Sequence, residues 1–254
     1  MVQHFPIGSY PVRLNASAVD RPWYGWCLFH AAEEAKKLGH NAVTAVEMGV
    51  AGGNGLVCLC NHRREIEKLL EIEIVLAGFD SGSGLPPSND PRDQLYALPS
   101  GSYEMDKEAL EKCIAGRAEL VLGDVSRTVR QWEPRADAPL GAVYFDLDFY
   151  SSTMSALSIL VKQNVLPRIW CYLDDISGYP DTAVTDGIGV PAAIRDFNLS
   201  PERQICKDHI MQSHSFRGHV YEKWHDQIYT YHRFTHPTYN VCLANEKHQL
   251  RLGI

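Results

Sequence analysis

The sequence is short of several features, and each shortage removes a class of function. No apolar run approaches the roughly 20 residues that cross a bilayer, and the opening MVQHFPIGSYPVR has no continuous apolar stretch of signal-peptide type. Neither a membrane protein nor a secreted one is expected. Basic runs of the kind that track phosphates are missing. With a formal charge of −7, a nucleic-acid partner is not expected either. Zinc spacing is absent: Cys58 and Cys60 flank a single residue, no second pair answers them, and there is no H-E-x-x-H. The seven cysteines are scattered, mostly in apolar surroundings that suit reduced, buried thiols, so the chain reads as cytoplasmic. What is present is an ordinary globular balance, 45% apolar and 22% charged. Its 254 residues suffice for one large α/β domain or two small ones.

The stretch VTAVEMGVAGGNG, residues 43–55, organises the rest. Val43 to Val46 is a short strand closed by Glu47, and Gly49, Gly52, Gly53 and Gly55 lead into a helix, LVCLCNHRREIEKLL. Strand, glycine-rich turn and helix make a nucleotide-type site, where a ligand can approach a backbone that carries no side chain. A dinucleotide fingerprint starting at Gly49 would need glycine where Ala51 and Asn54 stand, and a Walker loop would need Gly-Lys-Ser/Thr. The remaining pattern, E-x-G-x-x-G-G-x-G, suits S-adenosylmethionine, a ligand without phosphate. Read alone, it is also an ordinary turn of an α/β sheet.

The first 21 residues, punctuated by prolines, are expected to be irregular. Trp23 to Leu38 is expected to be a helix stopped by Gly39, its aromatic half packing into the core. Glu73 to Phe79 forms the second strand and ends at Asp80, where doubly wound folds bind ribose hydroxyls. The loop SGSGLPPSNDPRD that follows is long enough to be functional. Asp106 caps a helix running to Gly116. Then come a third strand, Glu119 to Leu122, a short helix, Ser126 to Trp132, a fourth strand, Gly141 to Leu147, its helix, Ser151 to Val165, and a fifth strand, Arg168 to Leu173. Beyond it, Gly187 to Phe197 reads as a helix, Arg203 to Ser213 and Gln227 to Arg233 as strands, and Tyr239 to Leu243 as a further strand. The alternation predicts an α/β fold with a doubly wound, mostly parallel sheet, helices on both faces, and the site beyond the strands' carboxyl ends. Glu47, Asp80, Asp124, Asp146 and Asp174 all fall at such ends.

FDLDFYSST and YLDD carry the sharpest signal. Asp146, Asp148, Asp174 and Asp175 sit at two strand ends that can converge, and converging carboxylates repel unless protonated or neutralised. A hard divalent cation such as Mg²⁺ or Ca²⁺ would relieve that repulsion. Helix capping is the other use for Asp148 and Asp175.

In order, VEMGVAGGNG, GFDSGSGLP, LVLGDVSRTV, YFDLDFYSSTMSAL and YLDD resemble the motifs of the macrocin O-methyltransferase family, over roughly residues 40 to 200. That family comprises class I sugar O-methyltransferases dependent on S-adenosylmethionine and Mg²⁺. The resemblance implies a seven-stranded, Rossmann-like sheet ending in an antiparallel hairpin, in a single domain over 1–254. An arm and helix (1–40) would precede a cofactor and metal core (41–200), and C-terminal strands (201–254) would complete the acceptor pocket. It implies that Glu47, Gly49, Gly52, Gly53 and Asn54 line the methionine part of the cofactor, that Asp80 and Ser81 meet the ribose, and that Gly123 and Asp124 lie near the adenine. Asp146 would touch cofactor, metal and reaction, and would hold Mg²⁺ together with Asp174 and Asp175. The ion would orient an acceptor hydroxyl towards the methyl carbon. A general base within reach of that hydroxyl is sought among His225, His232 and His236. The expected function is O-methylation of a small polar acceptor, a sugar or another polyol-bearing metabolite of secondary metabolism, and a homo-oligomer is left open. Two departures stand out: Gly82 replaces an aromatic residue after F-D-S, and Pro167-Arg168 replaces Gly-Gly. The rivals are an NAD-linked oxidoreductase, which lacks its Tyr-x-x-x-Lys pair, and a non-catalytic module that keeps the cofactor.

Overall fold

The computed structural model describes residues 7–177, 184–209 and 221–244. Seven strands form one sheet: β1 Ala42–Met48, β2 Glu73–Asp80, β3 Glu119–Leu122, β4 Leu140–Phe145, β5 Val165–Leu173, β6 Gln204–Lys207 and β7 Ile228–His232. Their order is β3-β2-β1-β4-β5-β7-β6. The first five run parallel, and β7 lies antiparallel between β5 and β6. This is the expected fold: mostly parallel, with an antiparallel pair last.

Period-two alternation sorts the strand residues onto two faces. Val43, Ala45, Ile74, Leu76, Ala142, Tyr144 and Tyr172 enter one apolar cluster, together with helices α1 (Tyr10–Asn15), α2 (Pro22–Lys37), α3 (Asn54–Leu70) and α4 (Lys107–Ile114). Val46, Met48, Phe79, Val143, Phe145, Cys171 and Leu173 enter a second, under α5 (Val125–Gln131), α6 (Tyr150–Ala156) and α7 (Gly189–Phe197). β1 and β4 are buried along their whole length, which accounts for their continuous apolar runs.

Several boundaries move, each for a local reason. α1 forms in the stretch expected to be irregular, because Pro11 occupies its first turn, where the missing N–H costs nothing. β1 extends through Glu47, which lies inside the strand, opposite Gly78 and Tyr144, and does not close it. The helix expected to reach Val165 ends at Ala156, continues as a 3₁₀ turn, Leu157–Val161, and gives way to β5. β5 starts three residues early and passes through Pro167, because a bulge opens its pairing with β4 between Leu140 and Ala142. The Pro167 carbonyl still accepts from the Arg233 N–H at 2.9 Å. Arg168 pairs with Glu34 on α2 at 2.9 Å and donates to the Tyr239 carbonyl, so this departure from the family pattern ties strand, helix and tail together. Residues 239–244 form no strand. Tyr239 and Val241 donate back to His236 and Thr238 in successive turns. The strand expected over 203–213 is seen over Gln204–Lys207, and its last positions lie outside the described residues. Among the described residues no helix is long and apolar enough to cross a membrane.

Candidate active site

β1 is held against β4 at its carboxyl end by the closest backbone approach in the site. Gly49 has φ +87°, and a Cβ there would lie 1.7 Å from the Asp146 carbonyl oxygen, so only glycine fits. The Asp146 N–H donates to the Met48 carbonyl at 2.9 Å, fixing the first acid to the glycine-rich turn. The turn is stapled from β2: Asp80 Oδ2 accepts from the Val50 and Ala51 N–H groups at 2.9 and 2.8 Å, and Oδ1 accepts from Gly82 N–H at 2.7 Å. Gly82, at φ +77°, supplies a turn that an aromatic residue would adopt only under strain, which gives this second departure a backbone reason.

A crevice of about 1010 Å³ opens above these strand ends. Of the residues expected in the site, Gly49, Asp80, Ser81, Gly123, Asp124, Asp146, Asp174 and Asp175 line it. Asp124 also caps α5 by accepting from the Ser126 N–H at 2.8 Å, which holds its carboxyl below its ordinary range. Asp146, Asp174 and Asp175 each offer an oxygen within 4.8 Å of the others. Asp148 follows at φ +57°, strained for a non-glycine residue, and its N–H donates to Asp175 Oδ2 at 3.0 Å. Tyr172 donates its hydroxyl to Asp174. Burial first, and then the neighbouring carboxylates, push Asp146 and Asp175 well above the carboxylate range and Asp148 up to about 6. Mutual repulsion in a poorly solvated pocket is what a divalent cation neutralises, so the donor set fits Mg²⁺.

The remaining expected residues lie elsewhere. Glu47 is buried behind the turn on the α2–α3 face, where Tyr24 donates to its Oε1 at 2.7 Å and Oε2 has no partner. Burial pushes its carboxyl up to about 8, against the lowering effect of the Tyr24 bond. Gly53, at φ +86°, abuts Leu110 of α4, whereas Gly52 and Asn54 are exposed on the turn. His225 is buried beside Trp224, its Nδ1 accepting from the Glu222 N–H at 3.3 Å. His232 pairs with Arg168, which puts it about 20 Å along β5 from Asp174 at strand rise, towards the opposite end of the sheet. Its Nδ1 meets the Tyr239 hydroxyl at 2.8 Å, and His236 Nδ1 meets Thr238. Neither His225 nor His232 nor His236 lines the crevice.

The fold adds residues that the sequence reading missed. The loop after β2 doubles back on itself: Leu85 N–H donates to Ser102, and Gly101 N–H donates to Leu85, both at 2.8 Å. Within the loop, Asp93 is fully buried and accepts from Ser88 Oγ, from Ser151 N–H at 2.8 Å and from Ser151 Oγ at 2.6 Å, anchoring the loop to the first turn of α6. Tyr103, at φ +65°, lines the crevice, and its phenol is raised chiefly by the Asp148 carboxylate. Arg21 enters from the start of α2. The length of the loop signalled that it mattered. Nothing local in the sequence marks Arg21.

No protein-family model and no curated protein sequence matches the chain. Among solved structures, the calicheamicin methyltransferase CalS11 superposes with a TM-score of 0.54 at 19% identity, over 91% of this chain and 88% of that one. The apo form of the same protein, described as a TDP-rhamnose 3′-O-methyltransferase, gives 0.47 at 17% identity over 91% and 89%. An O-methyltransferase from Bacillus cereus in complex with SAH gives 0.46 at 13% identity over 91% and 94%. At such identities the likeness to CalS11 shows a shared fold, that of the class I methyltransferases.

Proposed function

We propose that the chain is an S-adenosylmethionine- and Mg²⁺-dependent O-methyltransferase acting on a hydroxyl of a small polar acceptor, a sugar or another polyol. The observation that carries this reading is the convergence of Asp146, Asp174 and Asp175 beside a glycine-rich turn, in one crevice at the carboxyl ends of the strands. The charge of that crevice favours a cationic ligand over a pyrophosphate. Six carboxylates and one guanidinium line it, which suits a sulfonium and opposes NAD. Asp80 would exchange backbone donors for ribose hydroxyls, and the exposed turn at Gly52 would admit the methionine part.

S-adenosylmethionine supplies an activated methyl group, and Mg²⁺ held by the three aspartates would supply Lewis-acid polarisation of acceptor oxygens. The protein's own share is placement. Met48 fixes Asp146 through its carbonyl, Asp148 orients Asp175, and Tyr172 orients Asp174, so the carboxylates are set before a ligand arrives. Ser152, which lines the crevice from α6, offers its hydroxyl to a polyol, while Ser151 and Ser155, whose protons go to Asp93 and to the Ser151 carbonyl, offer acceptor lone pairs. The anchored loop after β2 forms one wall of the crevice, from Ser83 to Pro87 and from Ser100 to Tyr103. Asp148 lies in the crevice beside the triad, its carboxyl raised by burial and by the Asp174 carboxylate.

The test is calorimetric titration with S-adenosylhomocysteine and, beside it, NAD⁺, each with and without Mg²⁺. Micromolar binding of the first alone is expected. Binding of NAD⁺ alone would transfer the protein to the oxidoreductases. Asp146→Asn should cut turnover and metal dependence while leaving S-adenosylhomocysteine affinity nearly intact, and equal loss of both would assign Asp146 a structural role.

A further inference from the structure

The crevice contains one cationic side chain among the described residues, and it makes no close ion pair with any of them. Arg21 lines the crevice that Gly49 and Ala51 of the glycine-rich turn also line, and its charge acts on Glu47 of β1, two residues before that turn. Six carboxylates share the space, yet no carboxylate oxygen among the described residues comes within 4.0 Å of its nitrogens. The guanidinium instead sits 5.6 Å from the centre of the Tyr24 ring. That ring is itself fixed, stacked on Tyr144 and bonded through its hydroxyl to Glu47.

The backbone at Arg21 is held in an uncommon state. It has φ 40° and ψ 67°, left-handed for a non-glycine residue directly before Pro22. His62 of α3 locks the approach, its Nε2 meeting the Asp20 carbonyl at 2.8 Å and its Nδ1 meeting the Tyr10 hydroxyl at 2.9 Å. The Arg21 carbonyl then accepts from Tyr24 N–H at 2.9 Å to start α2. Strain of this kind beside a ligand crevice is consistent with a side chain held for use.

Part of the donor set of the glycine-rich turn is already in use. Asp80 already takes the Val50 and Ala51 N–H groups, and Gly53 N–H donates to the Val50 carbonyl. A ligand carboxylate entering the crevice meets six acids and, among the described lining residues, one full positive charge, that of Arg21. We infer that Arg21 holds the α-carboxylate of the methionine moiety of S-adenosylmethionine, and thereby selects adenosyl ligands that carry a complete amino-acid end. The inference rests on the proposed cofactor.

The experiment is calorimetric titration of the wild type, Arg21→Gln and Arg21→Lys with two ligands: S-adenosylhomocysteine, and 5′-deoxy-5′-methylthioadenosine, which lacks the amino-acid end. Arg21→Gln should weaken S-adenosylhomocysteine by roughly ten- to a hundredfold, the size of a charge-assisted contact. It should leave methylthioadenosine within about twofold, and Arg21→Lys should recover part of the loss. Arg21→Gly accepts the left-handed backbone without strain and serves as the folded control should Gln perturb α2. Equal weakening of both ligands would reduce Arg21 to a helix-start residue, and unchanged S-adenosylhomocysteine affinity would place the carboxylate elsewhere. Either result overturns the inference and leaves the cofactor in place. A wild-type protein that binds neither ligand would overturn the cofactor reading, and this inference with it.

Discussion

Gly52 and Gly53 stand side by side in the turn after β1, and the structure gives them opposite duties. Gly53 has φ +86°, and a Cβ there would lie 2.3 Å from Cδ1 of Leu110, a buried side chain of α4. An alanine at 53 carries about 1–2 kcal/mol of left-handed strain and about 1–3 kcal/mol of overpacking. Since Leu110 can rotate partway out of contact, the expected destabilisation is about 2–4 kcal/mol. Gly52 has no atom within 4 Å of its imagined Cβ and no positive φ, so Gly52→Ala should lie within about 0.5 kcal/mol of wild type. Urea unfolding of both variants, read by circular dichroism and extrapolated linearly, measures the difference. Equal destabilisation by the two would refute this account of the turn. Because Gly52 is free of packing, Gly52→Asp then isolates ligand contact: stability should hold while S-adenosylhomocysteine affinity falls. Gly53→Asp could not separate the two effects.

The remaining predictions concern charge and the loop. Glu47 has its folded pKa raised to about 8 from an ordinary 4.5. Its contribution to stability is therefore fully present below pH 4.5 and lost as pH rises through 8, at up to about 1.4 kcal/mol per pH unit. Glu47→Gln should lack that decline, so the wild-type and mutant stability curves should diverge between these pH values; parallel curves would mean that Glu47 is solvated. Asp93→Asn places an amide among donors that need an acceptor, and should cost about 2–3 kcal/mol. Amide exchange should quicken at Leu85, Gly101 and Ser151 ahead of the sheet, and unchanged protection would show that the loop is held by other contacts.

The legible part of the fold was its alternation. Glu119 to Leu122 was readable residue for residue, and Glu73 to Phe79 to within the one residue, Asp80, that β2 adds, because each strand stops at an acid or a glycine that the sheet places at its carboxyl end. The three converging aspartates were legible for the same reason. Pro167 misled because a proline argues against a strand interior, and only the pairing of β4 with β5 reveals a bulge that absorbs it. Glu47 looked like a strand-end acid, but the strand continues past it and alternation turns its side chain towards Tyr24. The histidines were chosen by residue type alone. The antiparallel register that carries His232 to the far end of the sheet is a long-range fact with no local signature. Arg21 is silent for the opposite reason: the other residues of the crevice come from segments at least 28 positions further along the chain, at Gly49 and beyond.

The loop after β2 has a neck, at Leu85 with Gly101 and Ser102, and an anchored middle, Arg92 to Gln94, held against α6 and α7 through Asp93 and Arg92. That construction makes it a separable module. Residues inserted beyond the anchor, around the exposed Leu95 and Tyr96, extend a loop already closed at its base. Doubling such a loop costs only about 0.6 kcal/mol in closure entropy. The wall of the crevice can therefore be lengthened, shortened or exchanged while the carboxylate triad and the glycine-rich turn keep their positions. A lineage, or an engineer, could change what the crevice accepts by editing this one segment without refolding the sheet beneath it.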